Sequence, residues 1–326
     1  MVIVNPKTNQ FYYSYYLSQL KDNFNIINYD SNPFPDFHHH CLAMILKDFS
    51  EKKIYISAGD GPGFNQLGLE WCDIYAKVNV HKEQIPKKFE NKILPIGPSF
   101  GLNYLSLKET LTQLWVTTLR SKMKLSEYRE HFANFYRQWK YRAPLSAYFP
   151  GNVETDYIFH ASTLWRKEPD TNTLRASFMD IANNNPKIKF DGGFAPGKQD
   201  VVNGFDHLIM PKKMVYNDYL ERVKRSLVVF NTPAVQGCLG WKLAEYMACG
   251  KAIISMPISQ LLPAPLNNHE HIHFVDGTNK SLENAINEIR TNKKYRKRLE
   301  SNSREYYQKY LSPKAVMDRI VSFKVC

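Results

Sequence analysis

The stretch from Leu227 to Ser255 leaves the chain few architectures to choose from. Leu227-Val-Val-Phe230 is an unbroken apolar run and reads as a buried strand. Residues 231–240 carry Pro233, Gly237 and Gly240 and read as a loop. Residues 241–248 read as a helix, Gly250 as its C-terminal stop, and 252–255 as the next strand. Such βαβ units imply α/β layers on a mostly parallel sheet.

The same alternation runs through the chain. In the first half, 2–4, 24–29, 53–57, 74–80 and 93–96 read as strands, and 9–20 and 42–49 as helices. Residues 105–141 are helical in pattern, without Gly or Pro. Pro144, Pro150 and Gly151 mark a linker, after which 157–160, 187–190 and 208–210 read as strands and 174–183 and 216–225 as helices. The predicted organisation is a domain over 1–150, a second over 151–302, and C-terminal helices over 303–326, broken at Ser312-Pro313, that return to the first. Two such units imply a cleft, and open α/β sheets bind ligands beyond the carboxyl ends of their strands.

The chemistry concentrates in the 227–255 segment. A glycine-bearing loop feeding a helix N-terminus brings backbone N–H groups and a positive dipole end to one place, which suits a diphosphate. Lys242 falls in the first helical turn, and Glu245, three residues on, can accept two hydrogen bonds from a vicinal diol. The residues Lys242-Leu-Ala-Glu-Tyr-Met-Ala-Cys-Gly-Lys-Ala-Ile-Ile254 resemble the donor-binding helix and following strand of GT-B glycosyltransferases. The resemblance implies two Rossmann-like α/β domains facing a cleft, with a nucleotide sugar held mainly by the second as a substrate, not a cofactor. It implies that Glu245 contacts the donor ribose and that Lys242, Gly237 and Gly240 surround the diphosphate. It further implies that Arg166 and Lys167 neutralise the leaving group and that the loop with Lys213 and Met214 packs the base. One departure stands out. Many retaining members carry an acidic residue eight positions before the helix Glu, and here that position is Gly237. Retention of configuration therefore does not carry over.

On the acceptor side, Asp60 follows the 53–57 strand in the Gly-rich turn Ala58-Gly-Asp-Gly-Pro-Gly63, a place for a general base. His38-His39-His40 supplies a second candidate, His39. His269-Glu-His-Ile-His273 matches a zinc-protease pattern, but that chemistry needs a helix. Read as a strand, its outer histidines stand ~13 Å apart, too far for one ion. With no DxD motif either, no metal site is expected, since protein cations can clamp the diphosphate.

Composition narrows the rest. With 43% hydrophobic and 23% charged residues, the chain is no disordered or disulfide-scaffold protein. Five scattered cysteines without a CxxC fit a reducing cytoplasm, and no signal peptide or membrane span is visible. The net charge of +12 concentrates in 290–326, with eleven Lys and Arg against three Asp and Glu. That tail suggests peripheral contact with an anionic membrane at its cytoplasmic face. No nucleic-acid motif accompanies it. The reading is a metal-independent glycosyltransferase, with a nucleotide-sugar donor and a glycan or lipid-linked glycan acceptor. The alternatives are a sugar-nucleotide epimerase of the same fold and a non-catalytic basic membrane- or nucleic-acid-binding protein on a transferase scaffold.

Overall fold

A computed structural model describes residues 1–37, 41–47, 51–197 and 202–324. The chain divides into two compact units. Unit one comprises Met1–Ala147, Gln260–Pro263 and Leu311–Cys326, and unit two Tyr148–Ser259 and Ala264–Tyr310.

Unit one opens with β1 (Val2–Val4), α1 (Gln10–Leu17), α2 (Leu20–Asn23) and β2 (Ile27–Tyr29). It continues through β3 (Leu42–Lys47), β4 (Glu51–Ser57), α3 (Gln66–Trp71), β5 (Ile74–Lys77) and β6 (Ile93–Pro95). The helices α4 (Leu107–Arg120) and α5 (Leu125–Tyr141) follow. The sheet order is β2-β1-β3-β4-β5-β6. Strand β3 runs antiparallel to both neighbours, and the other pairs are parallel.

Residues 42–49, expected as a helix, enter this sheet as β3 over their described part. Leu42 through Leu46 are all buried. A central strand covered on both faces reads as a continuous apolar run, which periodicity alone does not separate from a buried helix. The single helical stretch expected over 105–141 is two helices. Ser106 and Glu109 form a capping box at the start of α4, and the chain leaves the helical path between Arg120 and Leu125. Tyr55 stacks on Tyr75 at 4.8 Å in the core of this unit, with Phe37 edge-on to Tyr55.

Unit two alternates strand and helix from β7 to β10 and then ends on a strand and two helices: β7 (Tyr157–Ser162), α6 (Pro169–Asn184), β8 (Lys189–Phe194), α7 (Tyr216–Arg225), β9 (Val229–Asn231), α8 (Trp241–Ala248), β10 (Ile253–Ser255), β11 (His273–Phe274), α9 (Asn279–Thr291) and α10 (Lys293–Tyr306). The pairs β7–β8, β9–β10 and β10–β11 are all parallel. The amide of Leu227 donates to the carbonyl of Tyr157 at 2.7 Å, which sets the chain entering β9 beside β7. Residues 208–210, expected as a strand, make only a single bridge, Ile209 to Phe194, after a short 3-10 turn. In β8, Gly192 has φ +117° and a Cβ there would overlap the carbonyl oxygen of His160. Only glycine allows that approach. Phe178 of α6 stacks on Phe230 of β9 at 4.7 Å and anchors the core of the unit. The last helix, α11 (Pro313–Ser322), belongs to unit one. Among the described residues no helix is long and apolar enough to cross a membrane.

Candidate functional site

Two cations converge on the carboxyl ends of β7 and β9 in unit two. The first is Arg175, on the buried face of α6 beside Thr171, Asn172 and Phe178. Its Nε donates to Thr232 Oγ1 at 2.9 Å and its Nη1 to the carbonyl of Thr163 at 3.1 Å. Thr163 follows β7 and Thr232 follows β9, so one guanidinium spans both strand ends. Burial pulls its pKa down to about 10, which leaves it charged at neutral pH.

The second cation is Lys242, in the first turn of α8. Its ammonium donates to the carbonyl of Ala161, the penultimate residue of β7. Burial first, and then the Arg175 charge, lower its pKa to about 7, against a smaller opposing pull from Glu245. Neither cation forms an ion pair among the described residues. Next to Ala161, the His160 ring is buried with neither nitrogen hydrogen-bonded, and the Ser162 hydroxyl is likewise without a partner. Burial, then Lys242 and Arg175, hold His160 well below its ordinary pKa and therefore neutral. Two cations and several orphaned polar atoms in one place make a site short of negative charge.

The loop leading to α8 frames this site. Gln236 and Gly237 both have positive φ, 58° and 70°. The amides of Gly237 and Cys238 donate to the carbonyls of Ala234 and Val235 at 3.1 and 3.2 Å, so the loop spends them on its own turn. The expected cradle of loop amides is in that respect corrected, and the polarity left to the ligand is that of the α8 N-terminus, capped by Gly240. Asn231, Thr232, Pro233, Gly237, Gly240 and Ser259 line a shallow concavity there.

Glu245 is held by other partners than Lys242. It is 3% exposed. Its Oε1 accepts from the Tyr216 hydroxyl, its Oε2 from the Tyr219 hydroxyl at 3.2 Å, and the Tyr148 hydroxyl pairs with that of Tyr216 at 2.7 Å. Arg166 and Lys167 are exposed on the loop between β7 and α6. Lys213 is exposed and Met214 half-buried on the loop before α7. Asp60 is exposed on the turn after β4 in unit one. That turn is held by Lys77 Nζ to the Gly61 carbonyl at 3.0 Å and Asn79 Nδ2 to the Gly59 carbonyl at 2.9 Å. His39, with His38 and His40, lies outside the described residues.

The 269–273 histidines are on no helix, but the strand-spacing argument against them is corrected. His269 has φ 61° and turns the chain back, so the His269 and His273 rings stand 4.8 Å apart. Both Nδ1 atoms lie 2.8 Å from the Tyr295 hydroxyl, which occupies the space between them. Among the described residues no group of three His, Cys, Asp or Glu side chains could hold a metal. Sequence reasoning missed Arg175. Its signal was an arginine within the buried, largely apolar stripe of α6, a place where an unpaired cation is rare.

No family model and no curated protein sequence matches the chain. Solved structures similar to it include a glycosyltransferase from Rickettsia africae, 10% identical over 94% of this chain and 80% of its own, with a TM-score of 0.47. HepE from Anabaena in complex with UDP and glucose is 13% identical over 82% and 70%, with a TM-score of 0.46. Sucrose-phosphate synthase from Thermosynechococcus elongatus is 12% identical over 94% and 90%, with a TM-score of 0.44.

Proposed function

We propose that this chain is a glycosyltransferase whose unit two binds a nucleotide sugar through its diphosphate. The observation that carries the reading is the Arg175–Lys242 pair. Both cations stand at the carboxyl ends of parallel strands, beside a helix N-terminus, with no ion-pair partner among the described residues. A partly neutralised lysine and an arginine pressed together gain most from an anion with two negative groups. Arg166 and Lys167 add charge from the exposed rim. Lys213 and Met214 flank the base.

Glu245 takes the ribose. Its two oxygens accept from two hydroxyl donors, the pattern that a vicinal diol presents, and the ribose takes the place of the Tyr216 and Tyr219 hydroxyls on them. In the transfer, an acceptor hydroxyl oxygen forms a bond to the anomeric carbon. The bond from that carbon to the phosphate oxygen breaks, and its electron pair leaves with the diphosphate, stabilised by Arg175, Lys242 and the α8 dipole. Asp60 is the leading candidate to accept the hydroxyl proton, with His39 the second. The acceptor is a glycan or a lipid-linked glycan. Protein cations do the work of a metal, so transfer proceeds in EDTA.

The basic tail that suggested membrane contact is divided in the structure. Arg296 is buried within reach of Glu300 at 3.5 Å, and Lys297 pairs with Glu300 at 2.7 Å. Arg296, being buried, is unavailable to a membrane, whereas the Lys297 side chain stays exposed.

A thermal-shift screen against uridine, guanosine, adenosine and cytidine diphosphate sugars, with EDTA throughout, tests the reading. A ligand at 100 times its Kd stabilises the fold by about 2.7 kcal/mol, a shift well above noise. Stabilisation by one base, abolished in an Arg175→Met, Lys242→Met double variant, is the expected result. No shift with any of the four would overturn it.

A further inference from the structure

Helix α4 sits in unit one with its apolar side outward. Leu107, Leu111, Trp115 and Leu119 recur every four residues and form one stripe. Trp115 is 66% exposed and Leu119 65%. The residues α4 buries are Thr110 and Thr117, with Gln113 and Leu114 half-buried; each threonine is bonded back to its own helix, and Thr117 also meets His131 of α5 at 3.1 Å. An amphipathic helix packed on a core normally does the reverse. Burying threonines while exposing leucines and a tryptophan costs the free protein stability, so the outward stripe needs another reason.

Helix α5 continues the surface. Leu125 at its start is 88% exposed, and Phe132 and Tyr136 on the same face are also exposed. Arg129 and Lys140 fall within that face, and Lys108, Arg120, Lys122 and Lys124 surround the α4 stripe. Over 107–141 there are seven Lys and Arg against three Asp and Glu. All three carboxylates are engaged on the protein: Glu109 with Lys21, Glu130 with Arg137, and Glu127 near Lys7 at 3.8 Å. The surface presented outward is therefore apolar and cationic together.

We propose that the α4–α5 face docks on an anionic lipid bilayer, with Leu111, Trp115, Leu119 and Leu125 entering the headgroup–acyl boundary and the surrounding cations meeting lipid phosphates. Charge complementarity selects this occupant. A symmetric dimer through the same face would set two net-cationic surfaces against each other, and unlike lipid a second copy brings no excess of anions. The inference rests on the side chains of unit one and does not require the glycosyl-transfer reading.

Vesicle co-sedimentation of the full chain tests it, with phosphatidylcholine alone and with phosphatidylcholine containing a third phosphatidylglycerol. The protein is expected to pellet with the anionic vesicles, less so as salt is raised, and weakly with the neutral ones. A Leu111→Ser, Trp115→Ser, Leu119→Ser variant is expected to lose binding by about tenfold or more. Because these side chains are exposed, the variant's thermal unfolding should match or exceed that of the parent. A Lys108→Gln, Lys122→Gln, Lys124→Gln variant should lose the preference for anionic lipid. Absence of anionic-vesicle binding overturns the proposal. So does binding that the triple serine variant retains in full, or a self-associated chain that the serine variant renders monomeric without any vesicle binding by the parent.

Discussion

The hydroxyl of Tyr216 donates to Glu245 and thereby ties α7 to α8 in the interior of unit two. Burial, with Glu245 beside it, pushes the Tyr216 pKa well up, so this hydroxyl remains a donor throughout the physiological range. Glu245→Ala should then affect both fold and ligand. Leaving the Tyr216 and Tyr219 hydroxyls without their acceptor costs about 1–3 kcal/mol. Glu245→Gln, which keeps the shape, should cost less in stability but still weaken nucleotide-sugar binding. Denaturant unfolding and calorimetric titration separate the two effects. Unchanged donor affinity in folded Glu245→Gln would remove it from the ribose.

Lys242 should make donor binding proton-linked. Its pKa of about 7 in the fold means that it is largely neutral at pH 8. A diphosphate at its ammonium favours the charged form, so binding at pH 8 should take up a proton, and at pH 6 much less. Titrations in buffers of different ionisation enthalpy read this directly, and Lys242→Met should abolish it. The same depressed pKa sets a stability trend. The unfolded chain binds this proton near pH 10 and the folded one only near 7, so the Lys242 contribution to stability falls as pH drops through that window. Lys242→Met should be as stable as the parent or more so at pH 7.

Gly237 and Gly240 should respond differently to alanine. Gly237 has φ +70° with nothing within 4 Å of a built Cβ, so the cost is conformational alone, about 1 kcal/mol. Gly240 has φ −74°, and its Cβ would meet only the Ala234 Cβ at 3.6 Å. Gly240→Ala should leave the melting temperature almost unchanged. A large loss in Gly240→Ala would mean that its backbone moves in function in a way that this conformation does not display.

Asp60→Asn should cut turnover about 10²–10⁴-fold while donor binding is retained. Its exposure makes the variant safe to fold. Near-normal turnover would send the search for the base to His39.

Tyr295→Phe should loosen the 269–273 turn. Its hydroxyl is shared by His269 and His273, and a proton on both rings would break that sharing. Burial first, then His269, lowers the His273 pKa. The unfolded chain therefore gains this proton before the folded one as pH falls below about 6.5, and stability contributed here is lost in that direction. Melting temperatures between pH 7.5 and 5.5 should fall more steeply for the parent than for His273→Phe.

The best-read parts of the sequence are those where local chemistry and packing agree. Helix α8 was legible to the residue, because Gly250, φ +60°, closes it with paired bonds from Gly250 to Met247 and from Lys251 to Tyr246. Helix α7 was equally legible. Strand β3 was not, since a doubly covered strand loses the alternation that marks strands. Helical spacing placed Lys242 and Glu245 on one side of α8 but could not give their partners, the Ala161 carbonyl on β7 for Lys242 and the tyrosines of α7 for Glu245. Arg175 depends on tertiary context, its partners Thr163 and Thr232 lying on two loops far from it in sequence. The face of α4 was beyond periodicity too, because the pattern identifies an apolar stripe and says nothing of which way it points.

Unit one is assembled from both ends of the chain. Tyr15 Oη donates to the Leu311 carbonyl at 2.6 Å, Arg319 Nη1 to that of Pro95 at 3.1 Å, and Lys52 Nζ to those of Val321 and Phe323 at 3.2 and 3.1 Å. Each of these bonds joins an early residue to one translated some two hundred or more positions later. On the ribosome, the α/β unit that begins first must therefore wait, its α11 seat vacant, until unit two has been synthesised and the last helix has emerged.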